Sequence, residues 1–235
     1  MTKNAHKVLT SNGLKCIAVA AMFFDHFFSV FLVQEGLAGS LLRITGRVAA
    51  PVMCYLVAEG FAHTRNVRKY LGRLFLFSVL SHFPYVAYFH LTWWKATSVI
   101  WGLFLGLLAL TLAKSGKLSF PLKLAAVLAC CLMAYPADWN YIGVLWILYF
   151  GLYQGDFKKQ MLSFALIGII VFLIPDLYHF GWEHTYQFGI FLAIPLLYLY
   201  NGKRGRKSRL IKWGFYVFYP VHLVLLELLR LLTGV

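Results

Sequence analysis

Apolar residues run in long blocks along this chain, with short clusters of Lys, Arg, Asp, Asn and Gly between them. A hydrocarbon core about 30 Å thick is crossed by about 20 apolar residues in a helix, with a range of about 17–25. About nine blocks meet or approach that length, over 13–33, 41–62, 71–91, 97–113, 119–136, 140–154, 160–179, 185–200 and 213–232. The pattern predicts an all-α polytopic membrane protein, a single domain over 1–235 with no internal repeat or linker. The blocks at 97–113, 140–154 and 185–200 are short for a helix normal to the bilayer, so tilting, local thinning or partial re-entry is expected there.

Composition agrees with the pattern. Of 235 residues, 61% are hydrophobic, 13% charged and 18% aromatic, and the mean hydropathy is +0.72. A soluble domain has about 45–50% apolar and about 25% charged residues, so a water-solvated globule is excluded, as are a disordered chain and, with four cysteines, a disulfide scaffold. The net charge of +14 would suggest nucleic acid in a soluble protein. In a membrane protein it reports orientation instead, because basic residues collect in cytoplasmic loops.

The loops alternate as that rule requires. One side carries Lys3 and Lys7, then Arg65, Arg68, Lys69 and Arg73, then Lys114, Lys117 and Lys123, then Lys158 and Lys159, and finally the run KRGRKSRLIK at 203–212. The other side has Lys95 beside Glu35, Asp138, Asp176 and Glu183. The N-terminus is therefore expected in the cytoplasm and the C-terminus outside. The first block holds Lys15, Asp25 and His26 and no small-residue cleavage site, so it is expected to stay as a helix rather than act as a signal peptide. The run at 203–212 reads as a topology anchor on anionic lipid headgroups, or a clamp for a phosphorylated cofactor, rather than a nucleic-acid site. Cys16, Cys54, Cys130 and Cys131 fall inside the blocks without CxxC spacing, and structural burial is expected of them.

Ionisable groups at hydrocarbon depth are costly unless they face a cavity or a partner. Here they are Lys15, Asp25 and His26 in the first block, Arg43, Arg47 and Glu59 in the second, His82 in the third, and His222 and Glu227 in the last. Lys15 and His26 are eleven residues apart, which places them on one helix face about 16 Å apart along the axis, a cation near one end and an imidazole past the middle. Asp25 points about 100° away from His26, so each needs a partner from another helix. Arg47, at similar depth in a block running the opposite way, is the natural partner of Asp25, and a Lys15–Glu59 pair is expected near the other end with His63 one turn on. His222 follows Pro220 in the last block, where a kink would free carbonyls. His82 reads as a packing histidine, and haem or metal ligation by His26, His82 and His222 would need two of them to converge.

Three segments together resemble the TraX family of integral-membrane proteins associated with N-acetylation of conjugative pilin. They are LKCIAVAAMFFDHFF (14–28), TGRVAAPVMCYLVAEGFAHTRNVRKYLGRLFLF (45–77), and YNGKRG with FYVFYPVHLVLLELL (200–205 and 215–229). The spacing from Lys15 to His26 also resembles the basic, ten residues, His element of the broader transmembrane acyltransferases that modify surface glycans. The resemblance implies a multi-pass protein of the bacterial cytoplasmic (inner) membrane that moves an acetyl group from cytoplasmic acetyl-CoA to an acceptor amine or hydroxyl at the outer face. That acceptor is a pilin-like N-terminus, another protein, a glycan or a lipid. It implies His26 as general base or acyl-imidazole nucleophile, Asp25 as orienting carboxylate, Arg47 at the thioester oxyanion or fixing Asp25, and His222 as a supporting or acceptor-side group. On the acetyl-CoA side it implies Lys15, Arg43, Glu59, His63, Arg65, Arg73, Lys203 and Arg204, with cations meeting the phosphates. The partners expected are acetyl-CoA, membrane lipids and the acceptor, with no metal and no nucleic acid. The rival class is a small proton-coupled transporter using Asp25, His26 and Arg47.

Overall fold

The computed structural model describes residues 7–31 and 36–234, without the side chains of residues 36–38 and 40. Lys3, Glu35 and the end of the 13–33 block lie outside the described residues. The elements are α1 (Ser11–Phe31), α2 (Gly36–Gly46), α3 (Ala49–His63), α4 (Val67–Tyr88), α5 (Val99–Ala113), α6 (Phe120–Met133), α7 (Asn140–Leu152) and α8 (Phe157–Leu166). A π-helical segment (Ile167–Leu173) leads to α9 (Ile174–Phe180), and a 3₁₀ segment (Trp182–Leu192) to α10 (Ala193–Tyr198), before α11 (Arg209–Thr233). Among the described residues there is no strand, only isolated bridges between Leu9 and Tyr200 and between Thr97 and Ala137.

Four helices among the described residues are long and apolar enough to cross a membrane: Ser11–Phe31, Leu41–His63, Phe157–Phe180 and Arg209–Thr233. The helices α5, α6 and α7 are apolar but shorter. Large apolar side chains also face outward, among them Phe75, Leu76 and Leu80 on α4, Leu128 and Leu132 on α6, and Leu225, Leu228 and Leu232 on α11. Water would penalise such surfaces, and lipid does not. The protein is an all-helical membrane protein with four candidate membrane-spanning helices.

Prolines account for the places where an apolar block is not one regular α-helix. The 41–62 block breaks between Gly46 and Ala49. Pro51 has no N–H to give the carbonyl of Arg47 four residues back, and its ring crowds that carbonyl. In the 160–179 block the π segment precedes Pro175, which cannot bond back to Val171. In the 185–200 block the chain is 3₁₀ as far as Leu192, and Pro195 denies an α-helical bond to Phe191. Of the cysteines, Cys54 and Cys130 are buried and Cys131 is partly so, but Cys16 is exposed on α1, against the expectation of burial; a thiol tolerates an apolar surround as readily as a core.

The chain gathers into two compact units, one formed by residues up to Met53 together with Leu173 onward, the other by Cys54–Phe172. In the first unit α1 packs against α2 and α11, and the 3₁₀ segment packs against α2, α9 and α10. On α1 the buried residues Leu14, Ala18 and His26 lie at intervals of four and eight residues, along one i±4 row. On α11 Tyr219, His222, Leu223 and Leu226 form a single stripe. A Cβ at Gly189 would collide with the backbone of Ile44, so the 3₁₀ segment approaches α2 as only a glycine permits. The start of α1 is tied to the basic loop: Ser11 and Asn12 donate their backbone N–H groups to the carbonyls of Lys203 (2.8 Å) and Arg204 (3.2 Å). These bonds satisfy donors that a helix start leaves open.

In the second unit α5 is central, packing against α4, α6 and α7. It meets α7 where Gly106 faces Ile147 and Gly151 faces Leu110, positions at which a Cβ would collide with the opposite side chain. Small residues at such crossings let helix backbones approach closely. Trp146, Phe150 and Phe164 fill the interior beside them. Asp156 caps α8 by accepting the Lys159 N–H at 3.1 Å, a bond that, with the Lys159 ammonium, holds its carboxyl below the ordinary value.

The α5–α7 crossing generates a direct expectation. Gly106→Val overpacks it by about 1–3 kcal/mol and lowers the melting temperature of the detergent-solubilised protein by about 3–8 °C. An unchanged melting temperature would show that the two helices separate freely.

Candidate functional site

The first unit brings His26 and His222 together. His26 lies past the midpoint of α1, His222 two residues after Pro220 in α11, and both are buried, 8% and 2% exposed. His26 Nδ1 and His222 Nε2 are 2.8 Å apart, and His222 Nδ1 is 2.9 Å from the Phe218 carbonyl. The two imidazoles have centroids 5.1 Å apart and planes 3° apart. The N···N distance and the two ring radii account for that separation, so the rings meet edge to edge in a common plane, as a lone-pair-directed hydrogen bond requires. Phe218 stacks on the face of His222 at 4.6 Å and Tyr219 presents an edge at 5.4 Å, so the orientation of this ring is fixed from two sides. The nitrogens stand closer than the ~3.3 Å that tetrahedral ligation at about 2.0 Å per bond requires. At this separation the two nitrogens are within hydrogen-bond distance.

Asp25, next to His26, turns to another helix. Its carboxylate takes the Arg47 guanidinium in an ion pair, with both side chains about 15% exposed. Arg47 sits in the break between α2 and α3 and within electrostatic reach of His26. Gly46 makes the seat possible, since a Cβ there would overlap the Asp25 side chain. Arg43 donates from Nη2 to the Tyr186 hydroxyl at 2.7 Å, with its guanidinium carbon 3.8 Å from that ring's centroid. The Arg47 guanidinium carbon is 5.7 Å from the same ring. Tyr186 also meets His184, whose ring is 5.3 Å away and whose Nδ1 is 2.9 Å from Asp176. Asp25, Arg43, Arg47 and Asp176 all act electrostatically on Tyr186, which makes it the hub of the polar cluster beside the histidines.

Lys15 holds its ammonium 5.3 Å from the centroid of Phe215, and Arg204 lies within electrostatic reach of it. Two cations held near one another attract an anion more than either does alone. Lys203 and Arg204 are both exposed in the loop tied to α1.

In the second unit Glu59 accepts from His63 Nε2 at 2.9 Å and from Gln154 Nε2 at 2.7 Å. Arg65 is exposed between α3 and α4, and Arg73 lies 5.4 Å from the Tyr70 ring. The expected Lys15–Glu59 pair joins residues of different units; within its own unit Glu59 is engaged by His63 and Gln154. His82 contacts Thr97 Oγ1 at 3.2 Å and helps line a cleft of about 180 Å³ with Ser78, Phe83 and Trp101.

Spacing singled out His26, shared depth and opposite charge singled out Asp25 and Arg47, and the family resemblance singled out His222; the fold gathers all four in one unit. None of these signals singled out Tyr186, His184 or Gln154. Tyr186 and His184 lie in a 3₁₀ segment without the apolar periodicity of a regular helix, and only the guanidinium of Arg43 reveals the tyrosine's part. Gln154 is neutral and sits at the end of α7, outside any search for charge.

These features define a helical integral-membrane protein with a buried imidazole pair beside an intramembrane Asp–Arg ion pair. The chain belongs to the TraX family: the family described as TraX protein matches residues 10–230. A relative from Dichelobacter nodosus, named probable fimbrial assembly protein FimC, serogroup H1, is 34% identical over 227 residues, covering 91% of this chain and 92% of the relative. No solved structure matches the chain.

The ion pair should behave as a buried one. Asp25→Asn removes the carboxylate from the Arg47 guanidinium and costs about 3–5 kcal/mol, whereas Asp25→Asn with Arg47→Gln recovers most of that loss. Thermal unfolding of the single and double variants reads the difference, and additive losses would show that the charges do not interact.

Proposed function

We propose that this protein is a transmembrane acyltransferase that moves an acetyl group from acetyl-CoA to an acceptor amine or hydroxyl, with His26 as general base. The observation that carries the reading is the buried His26–His222 pair, a proton-handling group set among apolar helices beside Arg47. The acceptor nitrogen or oxygen attacks the thioester carbonyl carbon and its proton passes to His26. The C–S bond then breaks and the CoA sulfur takes that proton back. The Arg47 guanidinium is the donor for the oxyanion that develops, and Asp25 holds it in place. Lys15 and Arg204, with neighbouring Lys203, bind the CoA phosphates as point and fork charges.

The alternation of basic and basic-poor loops supports about nine passes through the bacterial inner membrane, N-terminus inside and C-terminus outside. In that arrangement the basic loop at 203–212 faces the cytoplasm and acetyl-CoA enters from there. The fimbrial-assembly name of the Dichelobacter nodosus relative favours a pilin-like subunit as acceptor, with a surface glycan or lipid as the alternative. A second reading, proton-coupled transport, is favoured by the same histidine pair, since two hydrogen-bonded imidazoles can also pass a proton.

Three outcomes test the proposal. Purified protein in detergent should bind acetyl-CoA and release free thiol, and His26→Ala should lower the release by about 100-fold or more in folded protein. Equal thiol release by a folded His26→Ala variant excludes His26 as the base, and absence of both binding and release leaves transport as the better account. Lys15→Ala should weaken acetyl-CoA binding, as should added salt, because the contact is to phosphate; unchanged affinity would move the phosphate site elsewhere. In a variant without its native cysteines, Lys207→Cys should resist a membrane-impermeant maleimide in intact cells while Glu183→Cys reacts, and the reverse pattern would invert the topology.

A further inference from the structure

We infer that His222 is a positioning residue that fixes the tautomer of His26, so that the nitrogen of His26 that takes the acceptor's proton is Nε2. The inference deepens the acyltransferase reading and rests on it for its kinetic consequence. Its structural content, which nitrogen carries the proton, stands on the hydrogen bonds alone.

The Phe218 carbonyl sets the order of donors and acceptors. A carbonyl oxygen accepts only, so the nitrogen 2.9 Å from it, His222 Nδ1, must carry a hydrogen. In a neutral imidazole one nitrogen is a donor and the other an acceptor, so His222 Nε2 presents a lone pair. The atom 2.8 Å from that lone pair is His26 Nδ1, which must therefore be the donor. His26 is left with its lone pair on Nε2. With both rings neutral, the assignment follows from a backbone oxygen that cannot change role. The edge-to-edge, nearly coplanar meeting of the two rings gives the central bond the direction a ring N–H and a ring lone pair both need.

The surroundings hold the arrangement. Phe218 against one face and the edge of Tyr219 set the plane of His222, and the bond to Phe218, four residues back on α11, sets which nitrogen points at α1. Asp25, the carboxylate nearest in sequence, is engaged by Arg47. A neutral imidazole on α11 thus takes the place that a carboxylate takes beside many catalytic histidines. When His26 Nε2 accepts the acceptor's proton, its Nδ1–H remains donated to His222 Nε2, and the charge is shared across a short, in-plane bond. As the thioester's C–S bond breaks, the same Nε2 proton passes to the CoA sulfur and the pair returns to its neutral state.

The test combines a spectroscopic and a kinetic measurement on the full chain in lipid nanodiscs. With ¹⁵N-labelled histidine, the resonances of His26, one of eight histidines, are assigned by their loss in His26→Gln. The neutral wild type should show a protonated Nδ1 and an unprotonated Nε2 at His26. His222→Leu should release that preference, and His222→Gln should keep it, because its side-chain oxygen accepts from His26 Nδ1 at a similar reach. In thiol release from acetyl-CoA, His222→Leu should lose roughly 10²–10⁴-fold in kcat at unchanged KM, with His222→Gln recovering most of it. A proton on Nε2 of His26 in the wild type, an unchanged tautomer in His222→Leu, or wild-type kcat in that variant would overturn the inference. If the wild-type tautomer is as stated and yet no thiol is released, the acyltransferase reading fails while the assignment of the reacting nitrogen stands.

Discussion

A polar group at hydrocarbon depth must be met by another polar group of the protein, because lipid has nothing to offer it. In the first unit this constraint decides which helices meet and where. His26 on α1 and His222 on α11 satisfy each other, and so do Asp25 on α1 and Arg47 in the break after α2. Remove the polar groups and little would distinguish one rotation of α1 from another, since leucine and phenylalanine pack against lipid about as well as against protein. The polar pairs therefore fix the register of three helices at one depth, and the same pairs assemble the candidate chemistry.

The backbone irregularities serve the same cluster. Pro51 ends α2 at the point where Arg47 must turn toward Asp25, and Gly46 leaves the space into which that carboxylate fits. Gly189 lets the 3₁₀ segment approach the backbone of α2, which brings Tyr186 onto Arg43. At the other end of α1 the loop YNGKRG caps the open N–H groups of Ser11 and Asn12, and so carries Lys203 and Arg204 toward Lys15. The segments that resemble the family in sequence are thus the ones that form the histidine pair, the ion pair and the basic loop.

Much of this was legible in the sequence, for physical reasons that differ from residue to residue. The blocks of apolar residues gave helices at 13–33, 71–91 and 213–232 because length and hydropathy suffice for that. The Asp25–Arg47 pair followed from two opposite charges at one depth, each too costly to leave alone. The meeting of His26 with His222 was not legible: periodicity places a residue on a face but does not say which of several helices that face will meet. Tyr186 was hidden because its segment is 3₁₀, and its role appears only through the guanidinium it holds. Glu59 was expected to find a cation, and the neutral Gln154 among its partners left no trace in a search for charge.

In the proposed reaction an acetyl group leaves acetyl-CoA and becomes covalently attached to an acceptor, with His26 as the base. Its most direct measurement uses inside-out membrane vesicles from cells expressing the wild type or His26→Ala, supplied with acetyl-CoA labelled in the acetyl group, followed by separation of protein, lipid and glycan fractions. Label is expected in one membrane-held fraction, surviving washing and absent with His26→Ala. Label that stays free, or that appears equally in both membranes, would contradict it.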